Sequence, residues 1–188
     1  MTGQRIPPVS PPYEPETAAW LARWMPPGVA VDPLVLFRTL AVHPELASRM
    51  RGTGAAILAH GLLPARVREI VIHRTSALTG AEYEWGVHSA TFGAQVGFTP
   101  EQLTSTVHGS SADPCWTTEE AAAFRATDEL HAAGRLSDAL FAELKVHFAD
   151  DQILELAITA GWYHVIAFVI GTAALAPEPW AARFPTPA

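Results

Sequence analysis

LLPARVREIVIHRTSALTGAEYEWGVHSATFGAQVG, residues 62–97, is the stretch on which the fold is read. Pro64 opens a helix whose apolar positions Val67, Ile70, Val71, Ala77 and Leu78 mostly keep the 3.6-residue period, and Gly80 ends or bends it. A second helix is expected from about Ala81 to Val96. On it Glu84 and His88 stand four apart and share one face, while Tyr83, Val87, Ala90 and Ala94 form an apolar stripe and Trp85 and Phe92 point elsewhere. With Glu69 on the preceding helix, a carboxylate and an imidazole fall among aromatic residues. Such groups are costly to bury unless paired, and burial or pairing brings them to proton affinities useful for acid and base work. An ordinary salt bridge on a solvated face accounts for the same spacing, and so it does for Glu69 and His73.

Outward from this stretch, the boundaries are helix signals. Trp20 and Trp24 lie four apart in TAAWLARWM. Asp32 reads as an N-cap with Pro33 at the first helical position, and His43 before Pro44 starts PELASRMRGTGAAILAHG, which Gly52 and Gly54 weaken by about 1 kcal/mol each relative to Ala. Thr99 with Gln102 and Thr117 with Glu120 form capping boxes, Gly134 closes the second, Ser137 caps DALFAELKVHF, and Asp150 or Asp151 caps the last long apolar segment. No alternating run demands a strand. The expected fold is all-α: an extended, proline-rich arm over residues 1–16, a single helical domain over 17–178, and a proline-rich tail over 179–188. A faint echo of REIVIHRTSALTG in LELAITAGWYHVI would set Glu155 opposite Glu69.

Composition narrows the partners. The chain has 188 residues, 49% hydrophobic and 16% charged, against roughly 25% charged in typical soluble domains, which points to burial between subunits. A net charge of -7, with twelve Lys and Arg spread along the chain, argues against a nucleic-acid partner. LELAITAGWYHVIAFVIGTAALA is interrupted by Glu155, Thr159, Gly161, His164 and Gly171 and reads as a buried helix, so no membrane partner and a cytoplasmic setting are expected. The single cysteine, Cys115, allows neither an internal disulfide nor a cysteine metal cage. Metal is a competing reading of Glu69, Glu84, His88 and His164, but carboxylate-bridged sites in helical bundles use Glu-x-x-His twice, and this chain has the i, i+4 spacing.

LLPARVREIVIHRTSALTGAEYEWGVHSATFGAQVGFTPEQL resembles the core segment of the carboxymuconolactone decarboxylase family, which includes alkylhydroperoxidase D, and the likeness extends over about residues 32–178. It implies a small all-α fold in homo-oligomers (dimer, trimer or hexamer) with the site near a subunit boundary. In the peroxidase branch a glutamate precedes a Cys-x-x-Cys pair and a histidine, and those places fall on Glu69, Ala81, Glu84 and His88. Both thiols are missing, so thiol peroxidase chemistry is not expected. The resemblance implies instead a cofactor-independent enzyme, without metal, acting by proton transfer on a small organic acid or lactone: decarboxylation, isomerisation or a related rearrangement. His88 is the expected acid or base, Glu84 its tuning partner and Glu69 the second proton-transfer group. Tyr83, Trp85, Arg74, Trp162 and His164 are the expected substrate-binding residues, with Arg66 and Arg68 as further basic groups. The alternatives are a non-catalytic, oligomeric ligand-binding relative and metal-dependent oxygen chemistry at the same cluster.

Overall fold

The computed structural model describes residues 3–25 and 32–187, and among them every regular element is helical. The helices are α1 (Pro15–Ala22), α2 (Val35–Leu40), α3 (Pro44–His60), α4 (Ala65–Leu78), α5 (Glu82–His88), α6 (Pro100–His108), α7 (Thr118–Ala133), α8 (Asp138–His147) and α9 (Asp150–Ala173). α4 is the hub, packed against α5, α6, α7 and α9. Its Val67 and Val71 meet Ala122, Ala123 and Ala126 of α7, Leu140 and Leu144 of α8, and Leu156 and Ala160 of α9 in the main core. The alanine face of α7 keeps side chains short where helices must approach, so truncating a large partner such as Leu144 to Ala costs about 2–5 kcal/mol. A second core joins Tyr83 and Val87 of α5 to Ile166, Ala167 and Ile170 of α9.

Local cap chemistry decides several boundaries as expected. Thr99 accepts from Gln102 N at 3.2 Å and Gln102 returns the bond, Thr117 and Glu120 do the same, and Gly134 ends α7 at φ +67°. Ser137 caps α8 through Leu140 N. Other boundaries differ. Asp32 does not cap α2, which begins at Val35; the Val35 N–H is bound at 2.6 Å by Glu178, far along the chain, so a tertiary carboxylate takes the cap's place. α9 is capped one residue early, at Ala149, whose N–H reaches Gln152 Oε1. The expected helix over 81–96 is broken: α5 ends at His88, and Ser89–Gly93 continues as one π-helical turn.

Arg5, Val9 and residues 182–184 lie on the body. Arg5 N donates to Ala173 O and Val9 N to Arg38 O, so this part of the arm packs on its own chain. The tail crosses α5: Ala182 N donates to Gly86 O, Arg183 grips Glu82 at both oxygens, and Phe184 meets the Trp85 edge at 5.5 Å. α9 alone among the described helices is long and apolar enough to cross a membrane, and nine of its residues are buried, seven of them in these two cores, as a central helix requires.

Candidate functional site

α4 and α5 meet so that three polar side chains share a buried space. Glu69 is inaccessible, His88 is 4% exposed and Glu84 7%. His88 Nδ1 lies 2.8 Å from Glu69 Oε2, and since a carboxylate only accepts, Nδ1 carries the proton. On the far side His88 Nε2 lies 3.2 Å from the Tyr163 hydroxyl of α9 and 3.5 Å from Glu84 Oε1. Glu69, not the helical neighbour Glu84, therefore orients the imidazole. Phe92 and Tyr163 cover the ring at centroid distances of 5.1 and 5.2 Å.

Burial and pairing pull the site's proton affinities in opposite directions. For His88, burial is the largest influence and disfavours the cation, but the Glu69 charge and hydrogen bond, joined by Glu84, outweigh it and lift the imidazole to about 9. For Glu69, burial pushes upward, yet His88 beside it holds the carboxyl below its usual range. At neutral pH the pair is ionic. Tyr163 is pushed well above the usual phenol range, by burial first and by the Glu84 and Glu69 charges next, so it stays a neutral hydroxyl. That hydroxyl accepts from the His88 cation and donates to the neutral ring, so it is matched to both states.

A second imidazole works structurally. His73, fully buried, donates from Nδ1 to the Glu69 carbonyl at 2.7 Å and is 3.1 Å from Ser89 Oγ at Nε2, which therefore accepts. Burial lowers it to about 4, so it is neutral, and its bond to Ser89 pins the start of the π-helical turn.

The residues expected to bind substrate mostly have other work. The Tyr83 hydroxyl donates to Glu178 at 2.5 Å and accepts from Leu36 N, which commits it to the anchor of α2 rather than to the cluster. Arg74 is held by Asp128 at 2.6 Å and by the Thr106 carbonyl, and stacks over Phe124. Arg66 is likewise held by Glu120 and Val96 O. His164 faces away, bonded to Ala160 O and His131. Trp85 stands behind His73 with Nε1 on Thr106, and Trp162 packs beside Tyr163, Ile57 and Gly54. Glu155 accepts from Leu62 N and Leu63 N, holding the turn before α4, and so does not repeat the role of Glu69.

Sequence reading named Arg68 only as a further basic group and passed over Tyr163. Arg68 is mostly buried beside Glu69, with Nη2 3.5 Å from Oε1 and Nε without a partner among the described residues. Tyr163 lies three and seven residues after Ala160 and Leu156, on the buried face of α9, a phase that singles it out over its neighbours Trp162 and His164. Among the described residues no three His, Cys, Asp or Glu side chains are arranged to hold a metal ion. Cys115 sits apart, beside Trp116 and Phe124, its thiol pushed up by burial.

Residues 44–129 match the profile of the Carboxymuconolactone decarboxylase family. No curated protein is significantly similar in sequence. Among solved structures, the debrominase Bmp8 is similar at TM-score 0.76 and 15% identity over 94% of this chain and 93% of its own. A cysteine-to-alanine variant of Bmp8 with 2,3,4-tribromopyrrole is similar at 0.74 and 14% identity, over 95% and 94%. The Agrobacterium tumefaciens protein ATU0492, of unknown function and proposed to be an antioxidant defence protein AhpD, is similar at 0.67 and 17% identity, over 74% and 94%. At these identities the likeness concerns the fold.

Proposed function

We propose that this chain, whose residues 44–129 match the carboxymuconolactone decarboxylase family, is a cofactor-independent acid–base enzyme acting on a small organic acid or lactone. The observation that carries the reading is the buried line Glu69, His88, Tyr163, with Glu84 beside it. His88 rests as a cation, so its role is general acid: Nε2 gives its proton to the carbon or oxygen that receives an electron pair. In a decarboxylation the carbon–carboxylate bond breaks, carbon dioxide leaves, and the electron pair left behind is protonated from Nε2. Glu69 keeps Nδ1 in place through the cycle, Glu84 returns a proton from water, and Tyr163 hydrogen-bonds the developing enolate oxygen. Arg68, the least committed of the three arginines on α4, takes the substrate carboxylate.

Two further features bear on this reading. The fold neighbour Bmp8 is a debrominase, which favours a catalytic use of the scaffold, although Ala81 and Glu84 here stand where the peroxidase branch has its thiols. The exposed stripe Leu154, Ile158, Val165 and Phe168 along α9, at near-heptad spacing, supports assembly with further copies, the boundary at which the resemblance sets the site. Near-complete burial of His88 favours the second reading, a non-catalytic relative. The test is a panel of lactones and β-keto acids offered to wild type and His88→Gln. Turnover by wild type, lost at least a hundredfold in the variant with the fold intact, is expected; equal turnover by both sinks the assignment.

A further inference from the structure

Away from the Glu69 cluster, the last turn of α7 and the middle of α9 bring two imidazoles together. His131 Nδ1 lies 2.9 Å from His164 Nε2, with the rings stacked at a centroid distance of 5.2 Å. His164 Nδ1 lies 2.8 Å from the Ala160 carbonyl, so Nδ1 carries the proton and Nε2 presents a lone pair toward His131. A backbone carbonyl that fixes the tautomer by taking the far N–H is how metal-bound histidines are oriented. His164 is half-buried and braced by Phe168 at 6.3 Å, whereas His131 is exposed. One ligand is therefore preset and the other free to adjust.

Two nitrogens bonded to one ion at about 2.0–2.1 Å stand roughly 2.8 Å apart at a right angle and roughly 3.3 Å apart at a tetrahedral one. The observed 2.9 Å lies inside that interval. We propose that His131 and His164 form a two-nitrogen site for a late first-row divalent cation, Zn²⁺, Ni²⁺ or Cu²⁺, tying the end of α7 to α9. Imidazole donors select these ions over Mg²⁺ and Ca²⁺, which prefer oxygen. The site needs no net proton release: the His131 proton moves from Nδ1 to Nε2 as Nδ1 takes the metal. With no third protein ligand converging among the described residues, the other positions are left to water or to an added ligand. In the metal-free protein the same two nitrogens share one N–H···N hydrogen bond.

The test is calorimetric titration of the chelator-stripped, full-length chain with ZnCl₂, beside His131→Gln, His164→Gln and the control His60→Gln. The expected result is one Zn²⁺ per chain in wild type and control, at least tenfold weaker binding in both pair variants, and a Zn²⁺-dependent rise in melting temperature lost in those two. No uptake by wild type at millimolar Zn²⁺, or wild-type affinity in both pair variants, overturns it. Circular dichroism of the variants separates loss of ligand from loss of fold.

Discussion

His88 Nδ1 is 2.8 Å from Glu69 Oε2, and Glu69 has no exposed surface at all. Breaking such a pair from one side strands a buried charge, a cost of about 3–5 kcal/mol. Glu69→Gln is therefore expected to destabilise the protein by that order in urea unfolding at pH 7. It is also expected to lower the His88 proton affinity, because burial is then opposed by Glu84 without Glu69. A Glu69→Gln/His88→Gln double variant recovers much of the loss, and the double-mutant cycle measures the coupling.

The two imidazoles make stability fall on both sides of neutrality. His88 is raised from 6.5 to about 9, so its contribution, about 3 kcal/mol, is fully present below pH 6.5 and lost as pH rises through 9. His73 is lowered from 6.5 to about 4, so the folded state resists a proton that the unfolded chain takes up, and stability is lost as pH falls from 6.5 toward 4. Urea midpoints measured from pH 4 to 9.5 should form a dome. His88→Gln should flatten the alkaline limb and His73→Gln the acid one.

Tyr83 and Tyr163 should separate structure from chemistry. Tyr83→Phe removes the bond to Glu178 and the acceptor for Leu36 N, and is expected to cost about 1–3 kcal/mol in stability while sparing turnover. Tyr163→Phe removes only the hydroxyl at His88 Nε2, and is expected to lower kcat by about tenfold or more with a small change in melting temperature.

Gly86→Ala tests the tail. An added Cβ would collide with Ala182 O, so the tail must lift, although alanine favours a helix over glycine by about 1 kcal/mol. Net destabilisation of about 1–3 kcal/mol is expected, with faster proteolysis after Arg183 as the bidentate grip on Glu82 is lost.

Much of the fold was legible because its signals are local. The Thr99, Thr117 and Ser137 caps and the stop at Gly134 act within one turn, and all formed where expected. Asp32 misled because the donor it would have capped is satisfied by Glu178, a partner 143 residues from Val35 that no window reaches. At the site, Glu69, Glu84 and His88 were legible from spacing and resemblance. The partnership was not: i, i+4 spacing favoured Glu84, while helix packing brought Glu69 nearer, 2.8 Å against 3.5 Å. The Tyr83 hydroxyl is likewise engaged by distant Glu178, and Tyr163 was hidden in an apolar run whose helical phase identifies it only once that face of α9 is known to be buried.

The central claim, that His88 waits as a cation held by Glu69, is tested most directly by nitrogen-15 NMR of the His88 ring in the intact protein. At pH 7 both ring nitrogens should carry protons, with a midpoint near 9 that Glu69→Gln lowers. A neutral His88 ring at pH 7, or a midpoint unmoved by Glu69→Gln, would contradict the account.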